Sequence, residues 1–534
     1  MSSTVPIKRA LISVSDKTDL VAFARRLAQH DVELISTGGT AKTLTASGLD
    51  VRTVDQITGF PEMMDGRVKT LHPKIHGALL ALRDNEAHVQ AMRGAGIEPI
   101  DLVCVNLYPF EQTIAKEGVA EAEAIEQIDI GGPSMIRSAA KNHAFVAVVT
   151  DPTQYDRVCH DVEQNDGATS LALRRWLATA AFARTAAYDS AIAAWMIRSD
   201  PHLAESGQPP FPGALVLRLN RQAQLRYGEN PHQLGALYVE PGSHEPSVAQ
   251  ARQLHGKTLS FCNLYDANGA LELVKEIDAD QNAAAAVIKH ANPCGFAVSD
   301  QMAEALEAAY QGDPLAAFGG IVACNRVIDL ATAEKIVGVE SFLEVIVAPG
   351  FDAAATALLQ HRWKNTRLLD VGPLPAPTAR DARELDFKRI TGGLLVQQRD
   401  LAPFEPRTWQ HAAGPPPDDR TLAEAAVAMI VVKHIKSNAV CLVANRALVG
   451  AGAGQMDRLA SCRIAIKKAD ARARGAVAGS DAFFPFRDGP DELIKAGVRA
   501  IAQPGGSKRD DETIAACNEA NVTMLFTGRR LFRH

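Results

Sequence analysis

No stretch of this chain approaches the roughly 20 uninterrupted apolar residues that cross a bilayer, and its opening, Met1 to Arg9, lacks the apolar core of a signal peptide. The expectation is a cytoplasmic protein with no membrane span. An excess of positive charge is missing too, since 56 Lys and Arg stand against 62 Asp and Glu for a net charge of −6. That balance argues against broad nucleic-acid binding, which needs a basic face to displace phosphate counterions. The eight cysteines, Cys104, Cys294 and Cys441 among them, show no paired spacing, so reduced thiols are expected rather than a disulfide framework or a metal knot. The glycines between Gly450 and Gly454 miss the G-x-G-x-x-G register and their helix follows late, which rejects a dinucleotide fingerprint.

What remains is an ordinary globular composition, 47% apolar and 22% charged over 534 residues, too long for a single core. Two or three α/β domains are expected. In the first region, Ala10 to Ser15 reads as a strand, Asp19 to His30 as a helix by its apolar spacing, and Val32 to Ser36 as a second strand. A Thr37-Gly38-Gly39-Thr40 turn and a short helix from Ala41 complete β-α-β-α, which implies a parallel sheet. That turn suits phosphate at a helix N-terminus, or is a plain connection. Between Gly66 and Gly77, Arg67, Lys69, His72, Lys74 and His76 crowd together with few acids nearby, which favours an anion pocket over a solvated loop. Asp101 to Asn106 is a further strand, leading to Tyr108. Ile128 to Ser134 opens a helix, with Pro133 in its first turn and Lys141 near its end. An Ala-rich helix from Ser170 to about Ile197 precedes the main linker, residues 199 to 213, broken by Pro201, Pro209, Pro210 and Pro212.

The second region centres on Ala283 to Gly295. A short apolar run there ends in Lys289-His290 and then in Asn292-Pro293-Cys294-Gly295, which reads as a buried strand followed by a turn. Lysine can stabilise developing negative charge and histidine can move a proton near neutral pH, although a solvated pair at a strand end is the commoner case. Upstream, Arg226, Tyr227, Asn230 and His232 crowd one turn-rich stretch, and Asn263 and Asp266 follow. Phe318-Gly319-Gly320 suits a flat ring against backbone, or a tight strand entry. Thr421 and Glu424 have capping-box spacing, and Val431 to Asn438 faintly echoes Val287 to Asn292, a hint of repeated lobes divided near 371–420. Phe483, Phe484 and Phe486 line a ligand or fill a small core.

Several strings together resemble one family, the purine-biosynthesis enzymes that fuse aminoimidazole carboxamide ribonucleotide (AICAR) formyltransferase to inosine monophosphate (IMP) cyclohydrolase. The similarity runs in order from Ser13-Val-Ser-Asp-Lys-Thr18 through Gly66 to Pro73, Ile128 to Gly132, Leu225 to Gln233 and Lys289-His290 to Ser480 through Phe486 and Arg530-Leu-Phe532. The resemblance implies a methylglyoxal-synthase-like cyclohydrolase over 1–199 and two cytidine-deaminase-like formyltransferase lobes over 200–534. It implies 10-formyltetrahydrofolate as cosubstrate, AICAR, its formylated form (FAICAR) and IMP as ligands, and a homodimer with formyltransferase sites at the interface. Bound potassium is left open.

By the same resemblance, His290 is the candidate base, with Lys289 and Asn438 stabilising an oxyanion or leaving group. Arg226, Tyr227, Arg458 and Arg530 would hold phosphate or ring. Phe318, Gly319 and Phe483 would pack on the heterocycles, and His232, Asn263 and Glu344 would complete the pocket. In the cyclohydrolase, Lys69, Tyr108, Asp129 and Lys141 match proton-transfer and orienting groups. Ser13, Ser15, Lys17, Thr37, Gly38, Gly39, Thr40, Arg67 and Thr70 match phosphate and ring contacts. A zinc deaminase is the first rival, yet His290 is followed by Ala-Asn and Ala297 stands where the second cysteine of Pro-Cys-x-x-Cys belongs. A second rival makes the N-terminal domain a regulatory phosphate sensor. A third makes Lys433-His434 the working pair.

Overall fold

The computed structural model describes residues 4–116, 118–199, 211, 213–339, 342–379 and 384–534. Two compact units, Met1–Arg218 and Leu219–His534, divide the chain. Most of the expected linker, 200–210 and 212, lies outside the described residues.

In the first unit, runs such as Leu102–Asn106 and Ala147–Val149 are buried almost throughout, as strands covered on both faces must be. They join a five-stranded sheet in the order Val51–Thr53, Glu33–Ser36, Arg9–Val14, Leu102–Asn106, Ala147–Val149, with every pairing parallel. The expected β-α-β-α start is present, with its helix at Leu20–Ala28. The next helix begins earlier than the sequence suggests, at Gly38 rather than Ala41, so Thr37-Gly38-Gly39-Thr40 forms its first turn with Thr37 as an extended N-cap. Chain order reverses between Arg9–Val14 and Leu102–Asn106, and the carboxyl ends of these two neighbours border the crevice where open α/β sheets take ligands.

The second unit carries a twelve-stranded mixed sheet with an internal repeat. One half runs, from its edge inward, Arg252–His255, Arg367–Asp370, Leu343–Ala348, Gly320–Cys324, then the hairpin Ala283–Lys289 and Asn292–Ser299. The other half runs Gln410–Ala413, Thr523–Phe526, Ala500–Gln503, Val477–Ser480, then the hairpin Val440–Ala444 and Ala447–Gly452, with the same parallel and antiparallel pairings. Ala297 pairs with Ala447 to fuse the halves into one sheet.

Two readings of the sequence change here. Asn292-Pro293-Cys294-Gly295 is strand, not turn: the hairpin reverses at His290 and Ala291, with φ of 52° and 58°. A bulge at Cys294 gives Pro293 a place where no ladder donor is needed. The repeat is real, but its sequence echo is out of register. Val287 to His290 ends a strand, whereas Val431 to His434 ends the helix Asp419–Lys433, whose counterpart is the helix Phe261–Val274. The true counterpart of the His290-Ala291 turn is Asn445-Arg446, at φ 52° and 59°. Gly295 and Gly450 confirm the alignment, each lying so close to a helix that a β-carbon would collide with the carbonyl oxygen of Ala309 or Ala465. The helix Asp419–Lys433 is also capped differently from expectation. Asp418, not Thr421, is its N-cap and accepts from the Thr421 N–H at 2.7 Å.

Candidate active sites

Around the crevice of the first unit, Ser13 Oγ lies 3.0 Å from Thr37 Oγ1. The Ser15 N–H donates to Asn106 Oδ1 at 2.6 Å, and Thr40 Oγ1 bridges the N–H and carbonyl of Val14 at 3.1 and 3.0 Å. These bonds draw the ends of three segments together and leave the N-terminus of helix Gly38–Ala46 at the sheet's carboxyl edge, a favourable place for phosphate. Lys17 is exposed in the loop before Leu20–Ala28. Lys69 reaches back to this turn: a β-carbon on Gly38 would sit 3.3 Å from Lys69 Nζ, and Gly38 has φ 44°, so glycine serves both shape and space.

The apparent shortage of acids near the basic cluster does not survive folding. Glu62 pairs with Lys69 at 2.9 Å, and Glu126, distant in sequence, pairs with Arg67. Asp129 Oδ1 accepts the Gly132 N–H at 2.8 Å at the start of helix Gly131–Lys141. Burial raises its pKa, against the pull of hydrogen bonds from the Gly132 and Tyr108 backbone. Burial also raises the Tyr108 phenol, and the Asp129 charge adds to it while Lys69 opposes. Lys69, Tyr108 and Asp129 therefore share one electrostatic neighbourhood suited to proton transfer. The Thr70 hydroxyl is buried against the backbone at Gly131. Lys141 stands exposed in the last turn of the helix that Asp129 precedes.

In the second unit Lys289 is half-buried at its strand end, and its Nζ donates to the carbonyls of Phe318 and Gly319, each at 3.1 Å. Those bonds occupy two of its three donors. His290 is exposed on the turn, and Phe318, in the loop that binds Lys289, is 63% exposed. Asn292 ties the hairpin to the other half, accepting the Lys436 N–H at 3.0 Å two residues before Asn438. Asn438 Nδ2 donates to the carbonyls of Gln455 at 2.9 Å and Met456 at 3.3 Å, while its Oδ1 accepts from Arg458 at 2.8 Å. Both amide hydrogens are spent, so Asn438 is equipped to accept from a ligand N–H rather than to stabilise an oxyanion.

Arg458 is likewise reassigned. It is buried, and its guanidinium is held by Asp481, Ser480 and Asn438, leaving it a support for Asn438 rather than a free phosphate ligand. Asn263 is the third residue of helix Phe261–Val274, and its side-chain oxygen completes a capping box with Ser260 at 3.2 Å. Glu344 pairs with Arg367 at 2.5 Å. Arg226 and Tyr227 engage each other, the guanidinium 4.8 Å from the ring centroid, on a loop that also exposes His232. Exposed Arg530 adjoins Leu531, whose N–H donates to the Asp481 carbonyl at 2.8 Å, so the C-terminal tail borders the Asn438 cluster. The 480–486 stretch divides its aromatics: Phe484 fills core, while Phe483 is 41% exposed.

The alternative pair is committed elsewhere. Lys433 and His434 are buried and share Glu276 Oε1 at 2.8 and 3.2 Å, a structural cluster inside the sheet's helical layer. Among the described residues no group of three or more His, Cys, Asp or Glu is arranged to hold a metal ion, and no helix is long and apolar enough to cross a membrane. Asp266, which the sequence brings to notice beside Asn263 without a role, accepts the Ala291 N–H through its Oδ1 at 2.8 Å, under the Lys289-His290 turn. Its only sequence signal was a place one helical turn after Asn263.

A family model described as AICARFT/IMPCHase bienzyme matches residues 139–468, and one described as an MGS-like domain matches residues 19–134. The chain is 52% identical over 541 aligned positions to the "Bifunctional purine biosynthesis protein PurH" of Magnetococcus marinus, covering 99% of each chain. It is 51% identical to the protein of that name from Roseobacter denitrificans, covering 100% of both. A solved structure titled "Crystal structure of ForH" is 36% identical over 35% of this chain and 94% of its own, at a TM-score of 0.33.

Proposed function

Since the chain belongs to the AICARFT/IMPCHase bienzyme family, we propose that its two regions divide the family's two reactions, cyclohydrolase in residues 1–199 and formyltransferase in residues 200–534. The protein is a bifunctional enzyme of purine biosynthesis: it transfers a formyl group from 10-formyltetrahydrofolate to the 5-amino group of AICAR and closes the product, FAICAR, to IMP with loss of water.

In the formyl transfer, the attacking amine is a poor nucleophile because its lone pair is delocalised towards the carboxamide. His290, exposed at the hairpin turn, takes the amine proton as the new C–N bond forms, worth roughly 10²- to 10⁴-fold, and returns it to N10 as the formyl C–N10 bond breaks and tetrahydrofolate leaves. Lys289 directs its remaining donor at the negative charge developing on the formyl oxygen. Asn438, held by Arg458, accepts from a substrate N–H. Arg226, Tyr227 and Arg530 supply cationic and aromatic contacts, and Phe318 and Phe483 offer exposed rings to the heterocycles. The cytidine-deaminase-like reading of the lobes rests on the resemblance and accords with their common strand order.

In the cyclisation, the carboxamide nitrogen closes on the formyl carbon and water departs. Asp129, Tyr108 and Lys69 carry the protons, while the Thr37-Gly38-Gly39-Thr40 helix start receives the phosphate with help from Ser13, Ser15 and Lys17. The enzyme works as a cytoplasmic homodimer; light scattering that returns the mass of one 57.1 kDa chain at working concentration sinks the dimer.

The observation that carries the formyltransferase assignment is the hydrogen bond from Lys436 to Asn292, which links the Lys289-His290 hairpin to the Asn438 segment. A paired spectroscopic assay tests both assignments, following tetrahydrofolate release and IMP formation separately. His290→Ala should lose the first signal and still close supplied FAICAR; Asp129→Asn should do the reverse. If either substitution abolishes both activities in folded protein, or neither, the division of labour is wrong.

A further inference from the structure

We propose that Asp266 is the positioning residue of the formyltransferase site: its carboxylate clamps the Lys289-His290 turn from beneath and, with no arginine paired to it among the described residues, leaves its charge to those two side chains. The inference rests on the assignment of formyl transfer to that turn.

The geometry has three parts. Asp266 is the sixth residue of helix Phe261–Val274, and its Oδ1 accepts the Ala291 N–H at 2.8 Å. The turn it grips has positive φ at two residues that are neither glycine nor asparagine, a conformation L residues rarely adopt, so something outside the hairpin must hold it. Burial pushes the half-buried Asp266 carboxyl above its ordinary value, against the pull of the Ala291 N–H and of the positive groups His290 and Lys289. Cys262, one helical turn earlier, also faces it.

The repeated half of the sheet supplies an internal control. Glu424 is the sixth residue of helix Asp419–Lys433, and its Oε1 accepts the N–H of Asn445, the counterpart of His290, at 3.1 Å. The clamp is thus a feature of both halves. The charge is not: Glu424 is fully buried and neutralised by Arg499 at 2.7 Å and Arg420 at 3.1 Å. Among the described residues no arginine acts on Asp266 in this way. Where the turn carries Asn445-Arg446, the carboxylate only supports; where it carries Lys289-His290, its charge is left for the site.

The test uses the full chain and steady-state formyl transfer. Asp266→Ala removes clamp and charge and should lower kcat roughly 10²-fold, the cost of displacing a reacting group by about 1 Å, with KM for AICAR changed less than about twofold. Asp266→Asn keeps an acceptor oxygen and should recover about tenfold of that loss. Glu424→Gln, which disturbs the matching clamp, should lower the unfolding midpoint and leave kcat within about twofold. An Asp266→Ala enzyme whose kcat is unchanged, or whose loss tracks unfolding as Glu424→Gln does, overturns the proposal. His290→Ala in the same series separates the levels. If it retains transfer, the site assignment itself has failed; if it loses transfer while Asp266→Ala does not, only the clamp has.

Discussion

The two halves of the twelve-stranded sheet share strand order, a bulged hairpin, a glycine pressed against a helix carbonyl and a carboxylate under the turn. They differ at the tip. One half ends its hairpin in Lys289-His290-Ala291, the other in Ala444-Asn445-Arg446, where Arg446 reaches Asn282 and Asp300 on the first half instead of a crevice. The scaffold therefore does not itself carry the chemistry. Two side chains and the electrostatic setting of one acid distinguish the proposed reactive half from its structural twin.

The largest effect that bears on this contrast is expected from His290→Ala, which should lower kcat for formyl transfer by roughly 10²- to 10⁴-fold as a general base is lost. Lys289→Met should follow at about 10²-fold, near the 3 kcal/mol range of a single well-aimed oxyanion donor. It also deprives the Phe318 and Gly319 carbonyls of their donor, so a crystal structure of the variant should show that loop displaced. Retention of near-native transfer by either variant would erase the distinction between the halves.

A structural pair of substitutions asks whether the halves are equal where they look equal. Gly295→Ala and Gly450→Ala each push a methyl group into a helix carbonyl, and each should destabilise the second unit by about 1–3 kcal/mol in urea unfolding. Marked inequality between them would mean the repeat is one of topology and not of packing.

Acid should act where the two halves meet. Glu276, just beyond helix Phe261–Val274, binds Lys433 and His434 at the end of the equivalent helix. Burial alone would raise its carboxyl, but His434 and Lys433 pull it from 4.5 down to about 2. The stability it contributes is therefore complete above pH 4.5 and is lost as the pH falls towards 2. Glu276→Gln should flatten the unfolding midpoint over that window; an unchanged acid slope would show that the junction does not depend on this charge.

The parallel sheet of the first unit was legible because its strands are buried on both faces and announce themselves as apolar runs separated by helical spacing. The strand Ala283–Lys289 was legible for the same reason. Its partner was not, since Asn292-Pro293 has the composition of a turn while the real turn, His290-Ala291, has none of the usual glycine or asparagine. The repeat escaped alignment because a strand end and a helix end happened to share Val, Lys and His. Partners far apart in sequence, such as Glu126 for Arg67 and Asp481 for Arg458, are set by tertiary contact and leave no local pattern. The role of Asp266 was hidden for a related reason: an acid in mid-helix is ordinary until the fold places a hairpin over it.

The smallest expected effect makes the sharpest comparison. Asn445 occupies the position of His290, and its side chain does no more than accept from Arg420 at 2.8 Å on the surface. Glycine tolerates the φ of 52° that the backbone adopts there, and the Glu424 bond goes to the backbone N–H, which glycine keeps. Asn445→Gly should shift stability by no more than about 0.5 kcal/mol and leave both kcat and KM for formyl transfer unaltered. The same substitution at His290 keeps an equally satisfied backbone but removes the imidazole, so transfer should fall by the full general-base factor with the unfolding midpoint held. Two truncations to glycine at equivalent corners of one fold then differ in activity alone. A measurable loss of transfer in Asn445→Gly would show instead that the second half takes part in the chemistry.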